Sequence, residues 1–179
     1  MDRRTYCALV GMTALSGCSA LSTDSVADDT GESYTTENEL EVTLAEAETQ
    51  SGGSVIFGTD TEVSGGSSAI TFVFPRIEVT NTTESALSVP TAENFTTRSN
   101  GTRQQPYQLE LESTLAGESE ISEPVSGPLF PSTSEIGPED EAEGWLVFAV
   151  PEAGQSVVLE LRLEDDVQKD WSIPVETDQ

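Results

Sequence analysis

Apolar residues fall on every second position through much of the chain beyond residue 38. In "ELEVTLAEAE", Leu40, Val42 and Leu44 alternate with Glu39, Glu41 and Thr43, the period of a strand with one buried face. "SVIFG" at 54–58 is a second short apolar run, fenced by Gly52, Gly53 and Gly58. "SSAITFVFPRIEVTN" at 67–81 is the longest strand signal; Pro75 calls for a bulge or an edge there, because proline gives the ladder no N–H. After Pro75 the alternation is clean, with Ile77 and Val79 inward and Arg76, Glu78 and Thr80 outward. "NTTES" then turns the chain into "ALSVP".

Further along, "NFTTRSNGTRQQPYQL" reads as a hairpin about Asn100-Gly101, a pair suited to the two positive φ values of a type I′ turn. Residues 109–115 fit a short helix or a loop. Residues 123–138 carry Pro124, Pro128, Pro131 and Pro138 without a period and are expected to form a long loop. "EGWLVFAVP" at 143–151 is apolar on both faces, as a central strand requires. "SVVLELRL" alternates sharply, with Val157, Leu159, Leu161 and Leu163 inward; Asp165-Asp166 turns the chain and "DWSIPV" closes it. Seven or eight short strands with Gly/Pro punctuation and no long helical period predict an all-β fold, an immunoglobulin-like antiparallel β-sandwich over residues 39–179.

The first 38 residues follow another pattern. The apolar run Tyr6–Leu15 is too short for a permanent span, which needs roughly twenty residues. Arg3 and Arg4 precede it and small residues follow, the layout of an export signal over residues 1–17. The Arg-Arg pair followed by Thr5, Tyr6 and Cys7 resembles the twin-arginine signal, whose pathway exports folded proteins. Leu15-Ser16-Gly17-Cys18 resembles the lipobox of prokaryotic lipoproteins. That resemblance implies cleavage before Cys18, a diacylglyceryl-type lipid on its thiol, and a cell-membrane anchor on the extracytoplasmic face. Two acyl chains hold a protein stably where one does not. "SALSTDSVADDTGESYTTEN" is nearly free of large apolar residues, so residues 18–38 are expected to form a lipid-anchored, disordered acidic linker.

Charge narrows the setting. Asp plus Glu number 33 against 7 Lys plus Arg, a formal −26, spread over nearly every segment. Scattered carboxylates fit adaptation to concentrated salt, where a Debye length of about 3 Å removes self-repulsion. Nucleic acid is excluded as a partner by the sign of the charge. With Cys7 removed in the leader and Cys18 lipidated, no thiol remains for a disulfide.

Residues 71–175 resemble immunoglobulin-like domains of unknown function carried by bacterial and haloarchaeal lipoproteins. The matching stretches are "IEVTNTTESALSV", the Asn-Gly hairpin with Tyr107 behind it, and "GPEDEAEGWLVFAVP". Signal, lipobox and acidity together are similar to a haloarchaeal surface lipoprotein. The resemblance implies a sandwich on a tethered protein and no shared catalytic residues.

The chain has no histidine, which removes Ser-His-Asp and Cys-His catalysis and the commonest zinc ligand. A glycosidase built on two carboxylates is the remaining enzymatic option. "GPEDEAE" and "LEDDVQKD" gather oxygen ligands on loops without a known calcium-loop spacing, and solvated acidic turns account for them. Asn81, Asn94 and Asn100 each open an Asn-x-Thr sequon and are candidates for N-glycosylation on an exported chain; asparagine also suits turns. Trp145 is expected in the core and Trp171 is open. The sequence reading is therefore a lipid-anchored, non-catalytic binding or accessory module without cofactor or metal, its surface-protein or glycan partner unknown. The alternative is an ion- or solute-binding lipoprotein working with a transporter.

Overall fold

The structure, a computed structural model, describes residues 28–58, 61–64, 69–110, 120–131, 133–151, 153–164 and 166–175. Arg3, Arg4, Cys18, the leader and the first part of the linker lie outside the described residues. In chain order the strands are β1 (Ser33–Thr35), β2 (Leu40–Ser51), β3 (Ser54–Phe57), β4 (Thr61–Ser64), β5 (Ile70–Asn81), β6 (Leu87–Ser88), β7 (Phe95–Ser99), β8 (Thr102–Gln104), β9 (Glu120–Glu123), β10 (Gly127–Pro128), β11 (Glu135–Ile136), β12 (Glu141–Trp145), β13 (Phe148–Pro151), β14 (Ser156–Leu163) and β15 (Asp166–Pro174). A 3-10 turn (Ala92–Asn94) and one helical turn, α1 (Tyr107–Glu110), join them.

Two sheets make the predicted sandwich. One runs β1-β2-β5 and is completed across β5 by β12 and then β13; the other runs β15-β14-β7-β8. These pairings are antiparallel. The order of β2, β5 and β12/β13 against β7, β14 and β15 is the immunoglobulin arrangement of an A-B-E sheet facing a C-F-G sheet. Between them lies the main core. Val42, Ile77 and Val79 from the first sheet meet Leu159, Leu161 and Trp171 from the second, and all six are fully buried.

A third layer lies beyond the two-sheet expectation. The small sheet β10-β9-β3-β4 covers the other face of β5's first half. There Phe72 and Phe74 pack with Val55, Phe57 and Ile121 in a second buried cluster. The stretch expected as one central strand is split into β12 and β13 at the end of the sheet, both paired with β5. It is apolar on both faces because Leu146, Phe148 and Val150 enter the main core, while Trp145 and Val147 enter the second. Pro75 lies within β5 opposite Ala47. On its other side the partner is interrupted between Trp145 and Phe148, and the Leu146 N–H donates to the Pro75 carbonyl at 2.9 Å. The missing proline donor thus falls at a break in the ladder, in the body of the sheet and away from its edge.

The hairpin forms as expected: Asn100 and Gly101 have φ of 49° and 79°, and Ser99 pairs with Thr102. Three expectations are corrected. The linker expected to reach residue 38 is folded from Asp28 onward among the described residues, with β1 pairing on β2. Polar bonds hold this stretch, so apolar periodicity did not reveal it. The Asp29 amide and carboxylate bond Ser172 at 3.1 and 2.7 Å, and Trp171 Nε1 donates to the Glu32 carbonyl at 3.0 Å. The long loop expected at 123–138 carries β10 and β11; it is a strap whose Val125 and Leu129 close the second core while Phe130 and Ile136 enter the main one. The last hairpin turns one residue early, at Glu164 with φ of 53°, and Asp166 already pairs with Leu163.

The strap runs close to β12. The Phe130 N–H donates to the Trp145 carbonyl at 2.9 Å, and a methyl on Gly144 would stand 2.7 Å from the Phe130 nitrogen and 2.8 Å from the Leu129 carbonyl carbon. Those are backbone atoms and cannot rotate away. Gly144→Ala is expected to cost about 1–3 kcal/mol, read as a lower guanidinium midpoint at fixed salt; an unchanged midpoint would contradict the strap's packing.

Candidate functional site: arginines over a buried glutamate

β14 sends Val157, Leu159 and Leu161 into the core, so Val158, Glu160 and Arg162 face out. The register sets Arg98 of β7 beside Val158, Thr96 beside Glu160, and Arg103 of β8 beside Arg98. Three arginines from three strands therefore meet on the outer face of one sheet. Glu160 sits beneath them, its side chain only 3% exposed. Arg98 Nε donates to its Oε1 at 2.6 Å and Arg103 Nε to its Oε2 at 2.8 Å. Arg162 Nη1 stands 3.8 Å from Oε2, and Thr96 Oγ1 donates at 3.4 Å.

Burial pushes the Glu160 carboxyl toward a higher pKa, but the bonds and charges of Arg103 and Arg98 outweigh it, and the net direction is down. Glu160 is thus a fixed anion. It balances only part of the cationic charge around it, and Asp170, its β15 neighbour, adds one further exposed carboxylate. Arg98 and Arg103 keep 41% and 51% of their side-chain surface in solvent. Both use Nε on Glu160, which leaves the four Nη hydrogens of each guanidinium aimed at no partner among the described residues.

The outer face of the other sheet holds the inverse pattern. Arg76 is ringed by Glu46 at 2.9 Å, Glu78 at 3.7 Å, and Glu143 in direct contact. Lys169 pairs with Glu32 at 2.8 Å. In a chain of this acidity, three cations on one patch is the feature that sets it apart. In "SVVLELRL" the period marks the inward positions and gives no signal for Glu160 and Arg162. The available signal was the scarcity of cations: beyond residue 4 the chain has five, Arg76, Arg98, Arg103, Arg162 and Lys169.

The sequons fall in different settings. Asn81 is fully buried; its Nδ2 donates to the carbonyls of Ser85, Ile136 and Gly137, and its Oδ1 accepts from Thr83. A sugar on that nitrogen would break the knot that ties the end of β5 to two turns. Asn94 is half-buried, with Oδ1 accepting from the Thr91 N–H and Nδ2 donating to the Arg162 carbonyl. Asn100 is exposed at the hairpin tip. Both tryptophans are core residues, 5% and 0% exposed for Trp145 and Trp171. Among the described residues no three His, Cys, Asp or Glu side chains are placed to hold a metal ion, and no helix is long and apolar enough to cross a membrane.

Because its carboxyl pKa is lowered by folding, Glu160 adds stability that is full above the unfolded value near 4.3 and is lost as pH falls through the depressed folded value. Glu160→Gln is expected to lower stability by about 1.5–3 kcal/mol at neutral pH. The gap to wild type should close on acidification below about pH 4. Denaturation midpoints across pH check it; a gap that stays constant to pH 2 would contradict the ion pairing.

No protein-family model and no curated protein matches this sequence. The fold is similar to that of several solved structures. A conserved hypothetical protein from Bacillus anthracis aligns with TM-score 0.52 and 12% identity, over 82% of this chain and 94% of that one. A functionally unknown protein from Listeria monocytogenes aligns with TM-score 0.50 and 10% identity, over 83% and 85%. A candidate lipoprotein from Bacillus subtilis aligns with TM-score 0.48 and 16% identity over 79% of this chain, which spans 38% of that protein's length. The first two matches establish the likeness as one of fold, an all-β sandwich.

Proposed function

We propose that the protein is a cell-surface lipoprotein of a salt-adapted, haloarchaeal-type cell, exported through Arg3 and Arg4 and held on the extracytoplasmic face of the membrane by lipid on Cys18. Its β-sandwich is a non-catalytic binding or accessory domain. The observation that carries this reading is the Leu15-Ser16-Gly17-Cys18 stretch placed directly after a short apolar run. The body supports it: the chain is already pinned to Ser172 at Asp29, so anchor and domain are close in sequence. Scattered acids support the saline setting, where hydration by carboxylates keeps a surface soluble and self-repulsion is screened.

A second reading, capture of an ion or solute for a transporter, draws on one feature. A polar cleft of about 430 Å³ opens between the β1–β2 connection and the Leu163–Glu164 turn, lined by Tyr34, Glu37, Asn38, Asn94 and Gln168 among others.

Two outcomes are expected. Cys18→Ser should appear in the culture medium or persist uncleaved, and intact mass of the wild type should show a diacylglyceryl adduct on Cys18; membrane retention of a cleaved Cys18→Ser protein would overturn anchoring. On the accessory-module reading, a calcium titration at constant ionic strength leaves the melting temperature unchanged, whereas a saturable rise would favour the ion-capture reading.

A further inference from the structure

The arginine patch and the entry point of the chain lie in one row of the same sheet. Ser172, which holds Asp29, pairs with Val158; Val158 pairs with Arg98; and Arg98 pairs with Arg103. At about 4.8 Å per strand, Arg98 is roughly 10 Å from the point where the chain joins the sheet. We propose that this outer face lies on the headgroups of the membrane that carries the anchor, with the Nη groups of Arg98 and Arg103 donating to lipid phosphate oxygens. The proposal rests on the anchoring of Cys18 proposed above.

Three arguments converge on a lipid surface. Ten residue steps separate Cys18 from Asp28, a reach of at most about 36 Å. A domain of this size is about 40 Å across, so the body cannot stand off the bilayer by more than its own width. Charge then selects the face. Elsewhere the surface is dominated by carboxylates, and the Arg76 cluster presents three glutamates to one cation. The arginine face is the one where guanidinium donors from three strands meet, and turning the Arg76 face down would set three glutamates against phosphate. Finally, the guanidinium fork matches phosphate oxygens at contact range, and such bonds persist where molar salt has screened everything beyond about 3 Å. Glu160 fits this design. It fixes Arg98 and Arg103 by their Nε atoms, which orients the remaining donors outward. Glu160, Asp170 and Asp29 offset the charge of the guanidiniums, so the patch acts through its directed donors, which set orientation while the lipid supplies retention.

The test uses the full lipidated protein, reconstituted in phosphatidylglycerol vesicles or kept in neutral detergent at the same ionic strength. Phenylglyoxal labelling of arginines is followed by mass spectrometry. Labelling of Arg98 and Arg103 should slow several-fold on the vesicles while Arg76 labels equally in both states. Equal labelling of Arg98 in both states, with lipid confirmed on Cys18, would overturn the docking and leave anchoring intact; Cys18 without lipid would overturn anchoring itself. Protection in detergent by inorganic phosphate or by polyglutamate, as strong as that on vesicles, would reassign the patch to a free oxyanion or an acidic protein. Arg98→Gln with Arg103→Gln, checked for an intact fold by its melting transition, should lose the slowing of β7–β8 amide exchange that vesicles impose on the wild type. Retention of that slowing would count against the two arginines as the contact.

Discussion

β5 has to satisfy two cores at once, and the rest of the fold is arranged around that demand. Its odd positions Val73, Ile77 and Val79 enter the main core, while its even positions Phe72 and Phe74 enter the second. A strand buried on both faces needs cover on both sides and partners on both edges. β2 supplies one edge along nearly the whole length, and β12 with β13 supplies the other in two pieces. The small sheet and the 124–130 strap exist to cover Phe72 and Phe74. Beyond Pro75 that cover ends, and the same face becomes polar at Arg76, Glu78 and Thr80.

Electrostatics follow the same division into faces. Each outer face of the sandwich has a charge of one sign surrounded by the other, Arg76 among glutamates on one side and Glu160 beneath arginines on the other. The two are not equivalent. Arg76 has more acid around it than it can balance, so its face remains anionic. Glu160 is nearly sealed from water and is met by three guanidiniums, so its face gathers cationic donors in a strongly acidic molecule. A buried carboxylate with several charge-assisted bonds also holds its partners in one geometry, which a loose surface pair would not do.

A lipoprotein reading and an arginine face give complementary roles to the two ends of the described body. Under the proposed anchoring, lipid on Cys18 would supply affinity for the bilayer, and the patch near Ser172 would supply orientation. The opposite face, with the Arg76 cluster, would then be left toward the exterior.

The strands β2, β3, β5, β14 and β15, the Asn100-Gly101 turn and the burial of 143–151 on both faces were legible from the sequence, because each is a local rule: period two, positive φ at a tight turn, apolar residues on both parities. The short N-terminal apolar run, the Leu15-Ser16-Gly17-Cys18 stretch and the extreme acidity are likewise properties of sequence alone. Tertiary structure decided what local rules do not encode. Residues 28–38 are folded because Asp29 and Glu32 find partners far along the chain, at the Ser172 backbone and the Trp171 indole, while Thr36 closes locally on Leu40, and a polar segment announces nothing of that in its own pattern. The proline-rich 123–138 stretch became a strap because it closes the second core with Val125 and Leu129 and reaches the main one with Phe130 and Ile136. Glu160 and its arginines looked like ordinary outward residues on separate strands; only the register between β14, β7 and β8 brought them to one point, since side-chain contact across a sheet depends on pairing and not on order along the chain.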